Sequence, residues 1–385
     1  MRIVSYDLSK VMQGTVAPFV IKDCMDAFRE LGHDVKTIEL TALGDTPKER
    51  LMALERRLLE IKPDFLFTLN DYCLTPVLLR DLKIPYVSWF GDNPFHFIKP
   101  EYISPYYKVF VWDRTYIPKL KEFGLENSFY LPLCTNPDRF HKIERNEEIK
   151  RYETNISFVG SSFYSHYEKY KEIRHPLLKA MIDEVVTIQS KDPFLDISTI
   201  ITEVEGKYSC KLNFKESEDK VKISLEYAAM AKYRKEVIEE VADLGISIYG
   251  DDRWENLVEK RDGVKFSGWV DPERRLPLIY NASKINLNIT KSQARTGLNW
   301  RVFDVLACCG FLLSDYRKDL EELFILDEEV VAFRDKDGVF ERAVYFLEDP
   351  KERRSVAEKG RARVLREHTF KARMERVLEI MEGTL

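Results

Sequence analysis

Residues Asn288 to Asp315 read NITKSQARTGLNWRVFDVLACCGFLLSD, and the order of residue types within this stretch decides the fold class. The apolar run Ile285 to Ile289 leading into it has strand length. A polar loop with Arg295, Thr296, Gly297 and Asn299 follows, apolar residues then recur at helical spacing from Trp300, and Phe311 to Ser314 is again strand-like. Strand, loop, helix, strand is the repeating unit of a parallel sheet, since parallel neighbours need a crossover that a helix supplies. Ligands of such sheets bind beyond the carboxyl ends of the strands, which makes this loop a candidate site. The free N–H groups of the helix start attract anions, and Gly297 lets a diphosphate approach the backbone closely. Arg295 or Arg301 supplies charge-assisted hydrogen bonds to phosphate, and the Asp304 carboxylate accepts both hydroxyls of a ribose. An ordinary helix start with surface arginines has the same composition.

The same alternation extends in both directions. Ahead of it, strands are expected at Arg2 to Tyr6, Asp34 to Glu39, Asp64 to Leu69, Tyr86 to Phe90, Lys108 to Trp112 and Phe129 to Leu131, with helices near Pro18 to Leu31 and Pro47 to Ile61. A charged stretch, 141–154, has no apolar period and reads as a linker between a first domain, 1–140, and a second, 155–368. Second-domain strands are expected at Asn155 to Val159, Ile246 to Tyr249, Val264 to Phe266, Ile285 to Ile289, Phe311 to Ser314 and Val330 to Ala332. The long interval after the first of these exceeds a simple crossover, and its helical periodicity predicts a helical insertion over about 176–243. A last helix, 369–385, is placed to cross back to the first domain. The fold class is therefore α/β, with two Rossmann-like domains.

Composition narrows the function. A chain of 385 residues with a net charge of −5 has room for two full cores, and it lacks the strongly basic balance of proteins that coat nucleic acid, so none is expected as a partner. No run of 18 apolar residues occurs, and the start, MRIVSYDL, has no secretory pattern, so a cytoplasmic protein is expected. The segment Lys351 to Arg376 carries ten basic and four acidic residues; a solvated helix face explains it, with peripheral membrane contact left open. Six cysteines without CxxC spacing read as reduced core thiols, and no two of the six histidines share the i, i+4 spacing of a zinc site. P-loop, GxGxxG and GxSxG signatures are absent.

Several segments resemble, in order, those of the spore-maturation CgeB-like proteins, a group of GT-B glycosyltransferases. They are GDNPF at Gly91, VFVWDRTYIPKLKEFG at Val109, YLPLCTNPDRF at Tyr130, SFVGS at Ser157, IYGDD at Ile248, FSGWV at Phe266 and RVFDVLACCG at Arg301. The resemblance implies two Rossmann-like domains facing across a cleft, with a nucleoside diphosphate sugar held mainly by the second. It places Asp304 at the ribose-binding carboxylate. Gly297, Leu298, Asn299 and Trp300 become backbone donors to the diphosphate, and Gly250, Asp251 and Trp269 neighbours of the nucleobase. It implies no cofactor and no metal, since helix dipole and cations serve the leaving diphosphate. Many of these enzymes carry a glutamate eight residues before the ribose carboxylate. Here that residue is Thr296, which leaves the stereochemical outcome open.

Glycosyl transfer to a hydroxyl needs a positioned base. Asp92, following the strand YVSWF where desolvation would raise its pKa, is the first choice, with His96 beside it and Asp71 and Asp113 as lesser candidates. Gly14, in the loop after the first strand, joins Asp71 and Asp113 on the expected acceptor side, and Gly160 and Ser161 are placed against the donor phosphates. The acceptor is expected to be a glycan, protein or small molecule. The missing glutamate also supports an alternative: a non-catalytic nucleotide- or glycan-binding module of the same fold in a cell-surface or spore-coat assembly.

Overall fold

The computed structural model describes residues 1–12, 15–192, 195–212, 217–292 and 294–383. The chain forms two compact units. The first comprises Met1–Asn136, Thr296–Trp300 and the C-terminal segment from Leu365; the second comprises Pro137–Arg295 and Arg301–Val364.

Six parallel strands build the first unit: β1 (Arg2–Tyr6), β2 (Asp34–Ile38), β3 (Phe65–Leu69), β4 (Tyr86–Phe90), β5 (Tyr107–Val111) and β6 (Ser128–Tyr130). They lie in the order β2-β1-β3-β4-β5-β6. All five residues of each of β3, β4 and β5 are buried, as strands covered on both faces must be, which is why they read as largely apolar runs. The helix Phe370–Glu382 packs against the helix Ala17–Glu30. Buried Arg373 fastens the C-terminal segment by donating to the carbonyls of Pro132 and Leu133.

The second unit has β7 (Thr154–Val159), β8 (Ile246–Tyr249), β9 (Val264–Phe266), β10 (Ser283–Asn288), β11 (Leu312–Asp315) and β12 (Val331–Phe333), parallel and ordered β12-β11-β10-β7-β8-β9. This is the doubly wound Rossmann order, and its direction reverses between β7 and β10. Between β7 and β8 the chain is helical, at Tyr164–Lys171, Pro176–Lys191, Ile197–Tyr208 and Glu218–Val241. Met181, Ile182, Val185, Ile200, Val204 and Leu225 form an apolar core of these helices' own.

The expected linker takes a different form. Segment 141–154 contains a short helix, Glu147–Lys150, and belongs to the second unit. Asn281 ties it down, accepting from the Ile143 N–H at 2.8 Å and donating to the His141 carbonyl at 3.0 Å. Its charged composition reflects one solvated side, while Ile149 is buried.

Candidate functional site

The reversal point of the second sheet is where a doubly wound fold opens for a ligand, and here it is bridged by one side chain. Arg234, on the helix Glu218–Val241, donates to the Ser161 carbonyl beyond β7 and to the Ile289 carbonyl beyond β10 at 3.1 Å. It is 2% exposed, its Nε has no hydrogen-bond partner, and no carboxylate lies within ion-pairing distance among the described residues. Burial, and then the neighbouring charge of Arg301, push the guanidinium down to about 9. The rings of Phe158 and Phe163 lie 5.4 and 4.9 Å from it. Arg301 adds a second cation, donating to Asn288 Oδ1 at 2.7 Å and leaving its own Nε without a partner. Two guanidiniums with unmatched Nε donors at the carboxyl ends of parallel strands make this a candidate anion site.

Glycines let the surrounding turns close. A Cβ on Gly250 would fall 2.1 Å from the Gly160 carbonyl oxygen, and that oxygen accepts from Trp254 Nε1 at 2.8 Å. Asp251 holds the same turn, accepting from the Ser162 N–H at 2.7 Å and the Ser162 hydroxyl at 2.6 Å. Both of its oxygens are thereby engaged with the protein rather than presented to a base. The Gly160 N–H donates to the Tyr249 carbonyl, so of the expected pair only exposed Ser161 offers N–H and hydroxyl to a ligand. Trp269 is 72% exposed, a large unburied aromatic face beyond β9.

The loop that opened the sequence reading divides into two roles. Asp113, fully buried, accepts from Thr296 N–H at 2.8 Å and Gly297 N–H at 3.0 Å, and also from Thr115. It has no free face for an acceptor, and the Gly297 N–H is already used, which corrects two expectations with one observation. Gly297 is required for a different reason: a Cβ there would meet the Trp112 carbonyl at 2.7 Å. Leu298 is buried, and Trp300 packs between Trp89 and Phe370. The helix Trp300–Ala307 begins as expected, with Asp304 in its second turn at 9% exposure. Arg295 points elsewhere, toward Asp196 and Glu226 at 3.9 Å each, so its charge is met by carboxylates.

In the first unit, three non-glycine residues beyond β3 adopt left-handed backbone: Asn70 (φ 49°), Asp71 (φ 53°) and Cys73 (φ 60°). Such conformations persist only where the surroundings fix them, and here side chains do so. Tyr107 donates its hydroxyl to both oxygens of Asp71 at 2.7 and 2.8 Å, and Ser88 Oγ accepts from the Asp71 N–H. Burial raises the Asp71 carboxyl to about 6 against the lowering effect of those hydrogen bonds. The strained turn aims Asn70, which donates to Asp92 at 2.9 Å and accepts from the Gly91 N–H at 2.9 Å. Asp92 is exposed beyond β4, so the desolvation expected for it falls on Asp71 instead. His96 is exposed at the end of the turn Pro94–His96, whose start Asn93 caps. Gly14 lies outside the described residues.

Among the described residues, no three His, Cys, Asp or Glu side chains cluster as metal ligands, and no helix is long and apolar enough to cross a membrane. Residues 234–379 match the family described as glycosyl transferase-like, a match that begins at Arg234. Similar structures span the whole chain. Sucrose-phosphate synthase from Thermosynechococcus elongatus is 12% identical with a TM-score of 0.60, covering 100% of this chain and 99% of that one. Anabaena HepE in complex with UDP and glucose is 10% identical with a TM-score of 0.57, covering 100% of both chains. A glycosyltransferase from Rickettsia africae is 10% identical with a TM-score of 0.59, covering 99% and 98%. The fold is that of the GT-B glycosyltransferases. No curated protein is significantly similar in sequence. At these identities the structural likeness carries the fold, and the chemistry has to be argued from the side chains.

Of the residues just described, Arg234 and Asn70 have no counterpart among the sequence expectations, and Arg234 is the more informative. Arg234 sits in the predicted insertion and in none of the quoted motifs. Its signal was nonetheless present: Met230, Ala231, Val237, Ile238 and Val241 place Arg234 in the middle of an apolar helix face, where a cation needs an explanation.

Proposed function

We propose that the protein transfers a sugar, of the hexose class, from a nucleoside diphosphate carrier to a hydroxyl-bearing acceptor, without a bound metal, in the cytoplasm and within the CgeB-like group. The observation that carries this reading is the Arg234 and Arg301 pair at the reversal point of the second sheet, neither of which forms an ion pair with a carboxylate among the described residues. A diphosphate supplies the negative charge these groups lack, and their pull grows as the bond to the sugar breaks and charge collects on the leaving oxygens. Ser161 adds a hydroxyl and an N–H, Asp304 takes the ribose hydroxyls, and Trp269 stacks on the base. In the first unit Asp92, oriented by Asn70, accepts the proton of the acceptor hydroxyl as that oxygen attacks the anomeric carbon. The protein's cations stand where a metal would otherwise act.

Calorimetry with UDP, GDP, dTDP and CMP on wild type, Asp304→Ala and Asp92→Asn tests the assignment. Selective nucleotide binding is expected, weakened by Asp304→Ala and left intact by Asp92→Asn, with transfer lost in the latter. Binding without donor hydrolysis or transfer by the wild type would move the reading to a non-catalytic module.

A further inference from the structure

At the opposite end of the second sheet from Arg234 lies a cleft of about 630 Å³, a size that suits a small-molecule ligand. Its floor is formed by the amino ends of three adjacent strands: Thr154 opens β7, Ser283 and Lys284 open β10, and Phe311 precedes β11. One wall is the tethered segment that the sequence presented as a linker, and the other is the start of the helix Pro350–Glu367. The charge on these walls is one-sided. Arg145 pairs with Glu153 at 2.7 Å, which leaves Lys284, Arg353 and Arg354. None of these three has a carboxylate within ion-pairing distance among the described residues. Lys284 donates to Asn155 Oδ1 at 2.8 Å, Arg353 donates to the Phe346 carbonyl, and Arg354 is exposed with no hydrogen-bond partner among the described residues. Burial, and then the nearby Arg354 charge, hold Arg353 below its ordinary value against the opposing pull of Asp349.

We propose that this cleft is a second ligand site, separate from the nucleotide site, and that it takes a small phosphorylated metabolite of sugar phosphate size. Guanidiniums from one helix and an ammonium from β10 converge on one volume, which suits a phosphate dianion with several acceptor oxygens better than a single carboxylate. The polar lining from Asn155 and Asn281 suits a hydroxylated body. The site does not depend on the glycosyl-transfer reading.

Cys309 lines the cleft and is half-buried, so its alkylation reports occupancy directly. Burial raises its thiol while Lys142 and Arg361 oppose that, so labelling is run at alkaline pH and located by peptide mass. Glucose 6-phosphate is expected to slow Cys309 labelling in the wild type, equally with and without added UDP. In the Lys284→Gln, Arg354→Gln double variant, protection is expected to need at least roughly tenfold more of it, with UDP affinity unchanged. Failure of glucose 6-phosphate to protect at millimolar concentration overturns the proposal, as does equal protection in the double variant. Protection by inorganic phosphate but not by glucose 6-phosphate overturns the metabolite assignment.

Discussion

Replacing Asp71 by Asn should stabilise the protein at neutral pH and do so progressively less in acid. The Asp71 carboxyl is raised from about 3.8 to about 6 because burial penalises its charged form more than Tyr107 and Ser88 support it. A carboxyl raised in the folded state contributes stability that is fully present below its unfolded pKa, near 4, and lost as pH rises through about 6. Two units at about 1.4 kcal/mol each set an upper limit of roughly 3 kcal/mol for the cost of holding the charge at pH 7 to 8. Asn fills the same volume, still accepts from Tyr107 and carries no charge, so it removes that cost while keeping the clamp on the strained turn. The measurement is urea unfolding of wild type and Asp71→Asn at matched pH values from 4 to 8, read as the difference between the two, so that other titrating groups cancel. The advantage of Asn should be near zero around pH 4 and approach its plateau above pH 6. A difference that is flat with pH, or that favours Asp at neutral pH, would refute the burial argument and show that the Tyr107 hydrogen bonds outweigh it.

Three further substitutions address the second unit. Arg234→Gln should weaken UDP binding by about tenfold to a hundredfold, since a hydrogen bond to a charged group contributes about 1.5–3 kcal/mol; Arg234→Lys should recover little of it, because one ammonium cannot span both strand ends and fork to phosphate. Gly250→Ala should lower thermal stability by at least about 1–3 kcal/mol and abolish nucleotide binding, as its Cβ would lie 2.1 Å from the Gly160 carbonyl oxygen and force the turn apart; an unchanged melting temperature would refute this. Trp269→Ala should leave stability within about 0.5 kcal/mol, the ring being 72% exposed, yet reduce UDP affinity by about 1–3 kcal/mol if the ring stacks on the base; equal affinity in titration calorimetry would remove Trp269 from the site.

The strands were legible because their residues face apolar surroundings on both sides of a parallel sheet. Continuous runs such as YVSWF and FLFTL leave little choice, and β4, β8 and β9 fall on the expected residues. The 141–154 segment was misread for a complementary reason. Part of its ordering comes from a remote side chain, Asn281, and a hydrogen bond across so long a sequence separation leaves no local pattern.

The site was less legible because a residue type says what a side chain offers and not what has already claimed it. Asp113, Asp251 and Arg295 are all polar residues at strand ends or in the key loop, and each is consumed by the protein itself. Asp71 and Asp92 show the converse: of two neighbouring carboxylates, burial falls on the one that the strand pattern did not favour, because Asp71 turns back beneath β4 toward Tyr107 while Asp92 stays outside. What survives this sorting is polarity without a partner. Arg234 is the clearest case, since a cation on an apolar helix face must either be neutralised inside the fold or be kept for something that arrives from outside. Among the described residues no carboxylate forms an ion pair with it, and the two carbonyls it does bind fix its place at the reversal of the sheet. The same criterion separates Arg354 from Arg145 at the opposite end of the strands, where one arginine is paired and the other is not. Both proposed ligand sites therefore rest on charges that no carboxylate pairs with among the described residues, rather than on sequence motifs.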